Sequence, residues 1–248
     1  MFPALGFLFG AFAKTIIAHL EGKVRSTMQA AFIQNAPKVL DENDQRSFID
    51  AFLIQQKEEK TKNQSSGFFH NENLKAVVND LFGAGTETTS TTLRWGLLLM
   101  MKYPEIQSYG PEVCHGATGS LPSVVMSHTS SRPHPEFGVR GTHIVPLLYS
   151  VLYDESQWEN PFQFYPEHFL DSEGKFVKRD AFLPFSAGRR VCAGETLAKM
   201  ELFLFFVSLL QRFTFQPAPG TSKEDLDLTP DVGSTWPPMP YHTCALPR

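Results

Sequence analysis

Residues 184–194 read PFSAGRRVCAG, and this stretch places a cysteine inside a short loop rich in glycine and arginine. An apolar helical pattern begins directly after the loop, at Glu195, so Cys192 lies at the N-terminus of a predicted helix. Free backbone N–H groups and the helix dipole favour a thiolate there. Arg190 adds a positive charge that suits an anionic ligand group, and Phe185 adds a flat apolar surface.

The composition narrows the class of protein. With 248 residues the chain is long enough for one large domain or two small ones. A net charge of −4 gives nucleic acid no overall attraction. The three cysteines are widely separated, which argues against a secreted disulfide scaffold and for a reducing compartment. The 22 phenylalanines indicate either a densely packed core or an aromatic-lined apolar pocket.

Periodicity predicts a mainly helical chain. Apolar residues recur at helical spacing in three early stretches, namely 11–35, 44–60 and 71–102. Residues 195–213 are apolar almost all round and predict a buried helix. Residues 142–153, THIVPLLYSVLY, predict a buried strand, and the proline-rich tail after Arg212 predicts loops and short strands.

Two stretches predict no regular core element. The apolar run at residues 2–13 is shorter than the roughly 20 residues that cross a bilayer. It also lacks the basic start of a signal peptide, so the sequence predicts no transmembrane segment in this chain. Residues 108–140 are rich in Ser, His, Gly and Pro without periodicity, which indicates an irregular segment.

The stretch 81–92, LFGAGTETTSTT, conflicts with the helix that contains it. Each of its two glycines costs about 1 kcal/mol relative to Ala, and β-branched threonines follow. Such conflicts tend to mark functional sites. Ala84 and Gly85 let a flat or small group approach the backbone, and the Thr88 hydroxyl can bond the Ala84 carbonyl and open the helix locally. With the Glu87 carboxylate nearby, the stretch predicts a groove that holds water and passes protons.

Other interpretations of both motifs stay open. The helix stretch also suits a helix–helix contact that needs small residues. A dinucleotide loop is disfavoured because the third glycine of its pattern is replaced by Thr88 and no strand–helix junction precedes it. A lone cysteine is usually structural, and a nucleophilic cysteine needs a His base. The glycines, arginine and phenylalanine around Cys192 instead fit a proximal haem-iron ligand.

The pattern Phe185-x-x-Gly188-x-Arg190-x-Cys192-x-Gly194 resembles the haem-binding signature of the cytochrome P450 family, in the wording of its microsomal, drug-metabolising family 2 of vertebrates. AGTETT, from residue 84, resembles that family's oxygen-activation motif. The resemblance implies a mainly α fold with minor β, of which this chain is the C-terminal half. It covers 1–107, the helices up to the oxygen-activation helix, and 141–248, with strand, meander, haem loop, buried helix and terminal strands. Residues 108–140 resemble nothing in the family.

The resemblance also implies a role for each matching residue. Cys192 would be the axial ligand of haem b, and Arg190 would bind a haem propionate. Thr88 and Glu87 would deliver protons to the activated oxygen. The remaining residues expected to line the haem are Phe185, Gly188, Gly194, Ala84 and Gly85.

The implied activity is a monooxygenase that inserts one atom of O2 into an apolar organic substrate such as a xenobiotic, fatty acid or steroid. NADPH would supply electrons through NADPH–cytochrome P450 reductase, with cytochrome b5 as a second partner, at the cytosolic face of the endoplasmic reticulum membrane.

The sequence departs from the family in one respect. The family carries a Glu-x-x-Arg pair, whereas no arginine here follows a glutamate by three residues. The alternatives are a truncated, non-catalytic fragment without stable haem, which acts at most as a binding partner, and a thiol redox enzyme, for which Cys192 lacks a nearby resolving cysteine.

Overall fold

The computed structural model describes residues 40–41, 44–62, 67–107, 147–231 and 235–248. The helix predicted over 11–35 and the irregular segment 108–140 lie outside these ranges. The described residues divide into two compact units. Those up to Thr86 form the α1 unit and those from Glu87 onward form the α5 unit, each named after a helix whose bounds are given below.

The described residues are mainly helical with a small sheet, as predicted. The helices are α1 (Phe48–Thr61), α2 (Asn71–Lys102), α3 (Pro104–Gln107), α4 (Leu148–Leu152) and α5 (Glu195–Arg212). Two short 3-10 turns cover Pro166–Phe169 and Gly188–Arg190. The strands are β1 (Phe213–Pro217) and β2 (Thr243–Pro247). No helix in the described ranges combines the length and the apolar character that crossing a membrane requires.

Helix α1 begins later than the sequence predicts because a side-chain cap sets its first turn. The Ser47 Oγ accepts the Asp50 N–H at 3.2 Å, and the Arg46 N–H donates to Asp50 Oδ2 at 3.2 Å. These bonds satisfy N–H groups at the helix start. The helix therefore begins at Phe48 and not at residue 44. Within the α1 unit a small core forms, made of Phe52, Leu53 and Leu74.

Helix α2 has the predicted bounds, and it stays α-helical through its glycines and threonines. Its first turn is capped by His70, whose Nδ1 accepts the Asn73 N–H at 3.1 Å. Further along, the Thr92 hydroxyl donates to the Thr88 carbonyl at 2.9 Å. This back-bonding satisfies the hydroxyl inside the helix, and the helix is nevertheless continuous, so the local opening expected near Ala84 does not interrupt it.

The core of the α5 unit forms where α2 ends. Its buried side chains are Leu93, Trp95, Leu97, Leu98, Leu99, Met100, Met101, Ile106, Phe206, Val207, Leu210, Phe215 and Leu226. The buried Gln107 amide joins three segments of this core. Its Nε2 donates to the carbonyls of Met100 at 2.8 Å and Phe215 at 2.9 Å, while its Oε1 accepts the Phe215 N–H at 2.7 Å. A buried amide satisfied in this way avoids a desolvation penalty.

The tail forms the short strands that its sequence predicts. Strands β1 and β2 pair antiparallel, with a register from Phe213 opposite Pro247 to Pro217 opposite Thr243. The Arg248 N–H donates to the Arg212 carbonyl at 3.0 Å, so the strand pair continues directly from the end of α5.

The strand predicted over 142–153 is wrong in its described part. Leu148–Leu152 form a short helix, and 142–146 lie outside the described ranges. The Tyr149 and Tyr153 rings stack at 4.2 Å, four residues apart. The indole of Trp158 donates to the Val151 carbonyl at 3.0 Å. A short apolar run does not distinguish strand from helix by periodicity alone, and here the tertiary contacts decide.

The prediction that α5 is buried on all sides is also wrong. Its C-terminal half supplies the buried side chains Phe206, Val207 and Leu210. Its N-terminal half leaves Leu197 60% and Met200 56% exposed. An apolar surface is buried only where a partner covers it, and the rest of the chain covers one part of this helix.

Candidate functional site

The cysteine lies at the end of a closed loop. The Cys192 N–H donates to the Phe185 carbonyl at 2.9 Å and joins the two ends of the eight-residue segment 185–192. Inside it the backbone turns twice through positive φ, at Ser186 (66°) and Gly188 (73°). This conformation costs a residue with a Cβ about 1–2 kcal/mol, whereas glycine adopts it readily. The requirement for glycine at position 188 is thus explained.

Helix α5 starts directly after the cysteine. The Glu195 N–H donates to the Cys192 carbonyl at 3.3 Å, and Gly194 is the residue before the helix. The Cys192 thiol is free and partly exposed. The Gly194 backbone, at φ −90° and ψ 4°, does not need glycine. A Cβ at this position would lie 3.9 Å from the Cys192 Sγ, an ordinary contact, so neither backbone conformation nor space requires glycine at position 194.

A lysine that the sequence interpretation missed lies over the aromatic ring of the loop. The Lys199 Nζ is 5.5 Å from the centroid of the Phe185 ring, and it also pairs with the Glu195 carboxylate one turn earlier. An exposed cation–π contact stabilises by about 0.5–1 kcal/mol. The spacing of Glu195 and Lys199 is the signal that could have found this pair. The Arg190 side chain lies outside the described atoms, so its propionate contact stays a prediction.

The two residues predicted to deliver protons lie on α2, in the same unit as the cysteine loop. Glu87 and Thr88 are both partly buried. The Thr235 hydroxyl donates to Glu87 Oε1 at 2.8 Å. Sequence reasoning missed Thr235 because 148 residues separate it from Glu87 and no local pattern links them.

Ala84 and Gly85 belong to the α1 unit, and both are exposed. A Cβ built at Gly83 or Gly85 would have no non-local heavy atom within 4 Å among the described residues. A helix–helix contact through small residues would place atoms there, so that alternative finds no support in the described ranges. The free space is compatible with the close approach of a flat group.

The donor chemistry at Cys192 suits a group that brings most of its own ligands. Within the described ranges no cluster of three or more His, Cys, Asp or Glu side chains is placed to hold a metal ion. A zinc site needs about four such ligands. A haem iron has four porphyrin nitrogens and takes only an axial ligand from the protein. A single accessible thiol, with the exposed apolar side chains of Val191 and Leu197 beside it in the chain, fits that requirement.

The segment that leads into the loop is held by aromatic and imidazole contacts. The Asn160 N–H donates to His168 Nε2 at 3.2 Å, and the Arg179 Nε donates to the His168 carbonyl at 2.7 Å. Burial lowers the pKa of His168 against the opposing charges of Glu159 and Glu167, and Arg179 adds to the lowering. A neutral imidazole is the form that accepts the Asn160 N–H. The Phe169 ring meets Phe182, three residues before the loop, at 5.0 Å.

An open cleft of about 620 Å³ lies elsewhere, in the α1 unit. Its lining consists of Gln56, Glu59, Lys60, Phe69, His70, Asn71 and Glu72. None of the site residues predicted from the sequence lines it. Cavity size alone therefore does not locate the chemistry of this chain.

Comparison with known proteins identifies the class. A model of the cytochrome P450 family matches residues 1–109 and 139–245. Cytochrome P450 2K6 of Danio rerio is 46% identical over 245 residues, covering 87% of this chain and 48% of that protein. Cytochrome P450 2D6 of Homo sapiens is 41% identical over 275 residues, covering 94% of this chain and 53% of that protein.

The chain belongs to the cytochrome P450 family, which confirms the family indicated by the two motifs. Its relatives of the 2K, 2D and 2C groups place it with family 2. The chain spans about half the length of the curated relatives it matches.

Proposed function

We propose that this chain binds haem b through Cys192 and belongs to a haem-thiolate monooxygenase. The observation that carries the proposal is the free, accessible thiol at the end of a loop that a backbone hydrogen bond closes at 2.9 Å. Membership of the cytochrome P450 family supports the same conclusion. The predicted domain division, with 108–140 as a segment foreign to the family, is part of this proposal.

Each site residue has a physical task in this function. Cys192 offers the axial thiolate, Phe185 offers an apolar surface beside it, and Arg190 offers a charge for a propionate. Bound haem would supply the activation of O2, and a thiolate ligand favours O–O cleavage. Gly188 shapes the loop through its positive φ.

The carboxylate and hydroxyl of α2 hold and move protons in this proposal. The Glu87 Oε1 is occupied by the Thr235 hydroxyl, while Oε2 has no hydrogen-bond partner among the described residues. An unoccupied carboxylate oxygen accepts a proton from water and passes it on. In this proposal the Thr88 hydroxyl, one residue further along α2, extends that path.

The substrate and partners follow from family 2 membership. We infer an apolar organic substrate, either a xenobiotic, a fatty acid or a steroid, which receives one atom of O2. The electrons come from NADPH through NADPH–cytochrome P450 reductase, with cytochrome b5 as a second donor. The location is the cytosolic face of the endoplasmic reticulum membrane. Nucleic acid is no partner in this proposal.

The test is the carbon monoxide difference spectrum of the reduced, haem-supplemented chain. We expect the band of thiolate-ligated haem, and we expect Cys192→Ser to abolish it because the serine oxygen does not replace the sulfur ligand. Cys244→Ser is the matched control, since Cys244 is a free cysteine of the β2 strand, and it should leave the band unchanged. A Cys192→Ser chain that keeps the band would overturn the assignment.

A second candidate function has an observation in its favour. The exposed apolar side chains of Leu197, Met200 and Leu204 and the half-length span suit a non-catalytic fragment that acts at most as a binding partner. The same measurement separates the two candidates. A purified chain without stoichiometric haem and without the thiolate band supports the fragment.

A further inference from the structure

The C-terminal strap, defined as residues 235–241, is attached to α2 by hydrogen bonds that cross 141–148 positions of sequence. The Trp95 indole donates to the Trp236 carbonyl at 2.8 Å. The Arg94 guanidinium donates to the Pro238 carbonyl at 2.8 Å. Both bonds are accepted by backbone carbonyls of the strap. They therefore hold the strap backbone, and with it the neighbouring side chains, against α2.

At the far end of the strap the donor and acceptor roles are exchanged, because a strap side chain donates to a backbone carbonyl of α2. The Tyr241 hydroxyl donates to the Arg94 carbonyl at 2.7 Å. Burial raises the pKa of Tyr241 far above its ordinary value, so the phenol keeps the proton that this bond needs. The strap is thus held at both ends along one stretch of α2.

Thr235, at the start of the strap, is the residue that meets the acid of the proposed proton path. It is 7% exposed, and its hydroxyl donates to Glu87 Oε1 at 2.8 Å. The hydroxyl donates and the carboxylate oxygen accepts, so the Thr235 proton points toward Glu87. The bond fixes the position of one of the two carboxylate oxygens.

We propose that Thr235 is a positioning residue for Glu87. Its hydroxyl holds Oε1 and thereby directs Oε2 toward the water that carries protons along α2. This inference rests on the proposed function, because it assigns Glu87 to proton delivery. It adds a residue outside both sequence motifs, and it makes the strap a determinant of how efficiently electrons are used.

The consequence concerns the fate of O2. When proton delivery is well placed, one oxygen atom enters the substrate and the other leaves as water. When it is misplaced, two electrons from NADPH and two protons convert O2 to hydrogen peroxide without oxidising the substrate. The share of NADPH electrons recovered as hydrogen peroxide therefore reports the placement of Glu87 and not merely the stability of the fold.

The first test is a double-mutant cycle on thermal unfolding of the full chain. Thr235→Val keeps the shape and removes the hydroxyl, and Glu87→Gln removes the charge. We expect each to lower the unfolding temperature by about 2–4 °C, and we expect the double variant to fall no further than the larger single effect. Additive shifts would overturn the inference whether or not the chain holds haem.

The second test uses the haem-loaded chain with its reductase. Thr235→Val should raise the hydrogen peroxide share at least twofold while the thiolate band persists. Thr235→Ser should give the share of the unsubstituted chain, because serine keeps the hydroxyl. Thr243→Val is the control, since Thr243 lies on β2 and its hydroxyl donates to the Gln216 carbonyl at 3.3 Å and not to Glu87. An unchanged peroxide share in Thr235→Val, with the band present, overturns the positioning role. If the unsubstituted chain lacks the band, the proposed function is overturned instead. The double-mutant cycle on unfolding then still tests whether Thr235 and Glu87 interact.

Discussion

The two halves of α5 both contain several apolar residues but have different surroundings. The C-terminal half (204–212) places Phe206 and Leu210 in the core with β1, whereas the N-terminal half (195–203), which follows the cysteine loop, exposes Leu197 and Met200. Leu and Phe occur in both halves. The difference shows that apolar composition provides the tendency to be buried, while burial itself needs a packing partner.

The exposed half adjoins the chemistry. Cys192 and Gly194 lead directly into it, so the part of α5 with the fewest packing partners is the part next to the predicted haem ligand. The chain also spans about half the length of its curated relatives. Beside the predicted haem ligand, α5 therefore has apolar surface that the described residues leave exposed, which is the expected property of a surface that meets a ligand.

The strongest way to break the comparison is to truncate one side chain in each half. Phe206→Ala removes a fully buried ring and should lower the free energy of unfolding by about 3–5 kcal/mol. Leu197→Ala, at a site 60% exposed, should change it by less than about 0.5 kcal/mol. Urea unfolding measures both. Equal losses would mean that the N-terminal half is packed as tightly as the C-terminal half.

A smaller difference in stability is expected between substitutions at Gly188, inside the cysteine loop, and Gly194, directly after it. Gly188→Ala puts a Cβ at φ 73° and should cost about 1–2 kcal/mol. Gly194→Ala is the control, because its backbone tolerates any residue and its Cβ makes an ordinary contact with the Cys192 Sγ. Thermal unfolding of the two variants checks the difference. If Gly194→Ala were the more destabilising, the loop would depend on close packing and not on its backbone conformation.

The smallest effect concerns pH and the buried imidazole in the segment before the loop. Because burial lowers the pKa of His168 in the fold, the unfolded chain binds its proton first. Its contribution to stability is therefore complete above the ordinary pKa of 6.5 and is lost as pH falls below that value. His168→Gln should make the urea midpoint of unfolding less dependent on pH between neutral and mildly acid conditions.

The matched control for that experiment is the exposed His242, which has no place in the buried cluster. His242→Gln should leave the pH profile of the parent chain unchanged. A His168→Gln profile as steep as the parent's would contradict the assignment of this pH dependence to His168.

Much of the fold could be predicted from local patterns. The bounds of α2 agree with its periodicity, because a 32-residue helix provides many turns of signal. The start of α5 and the short terminal strands were also predictable from capping position and proline content. The strand predicted near residue 148 failed because five residues provide too little periodicity to distinguish it from a helix.

The candidate site divides in the same way. Cys192, Phe185 and Gly188 could be found in the sequence because a loop of a few residues carries its own pattern of glycine, charge and thiol. The Thr235 contact could not be found, since hydrogen bonds between distant segments leave no mark at short range. Lys199 lies between these cases, because its spacing from Glu195 is visible while its position over Phe185 is not.

The sequence by itself determined the family, the helical class and the cysteine that is expected to bind iron, because these depend on residue types at short and regular separations. Only the tertiary structure decided which half of α5 is covered, how Gln107 joins α2 to β1, and which side chain holds Glu87. Those outcomes depend on whether segments more than a hundred residues apart meet at hydrogen-bond distance. Local propensity carries no information about such long-range contacts, and the free energy of packing the whole chain selects them.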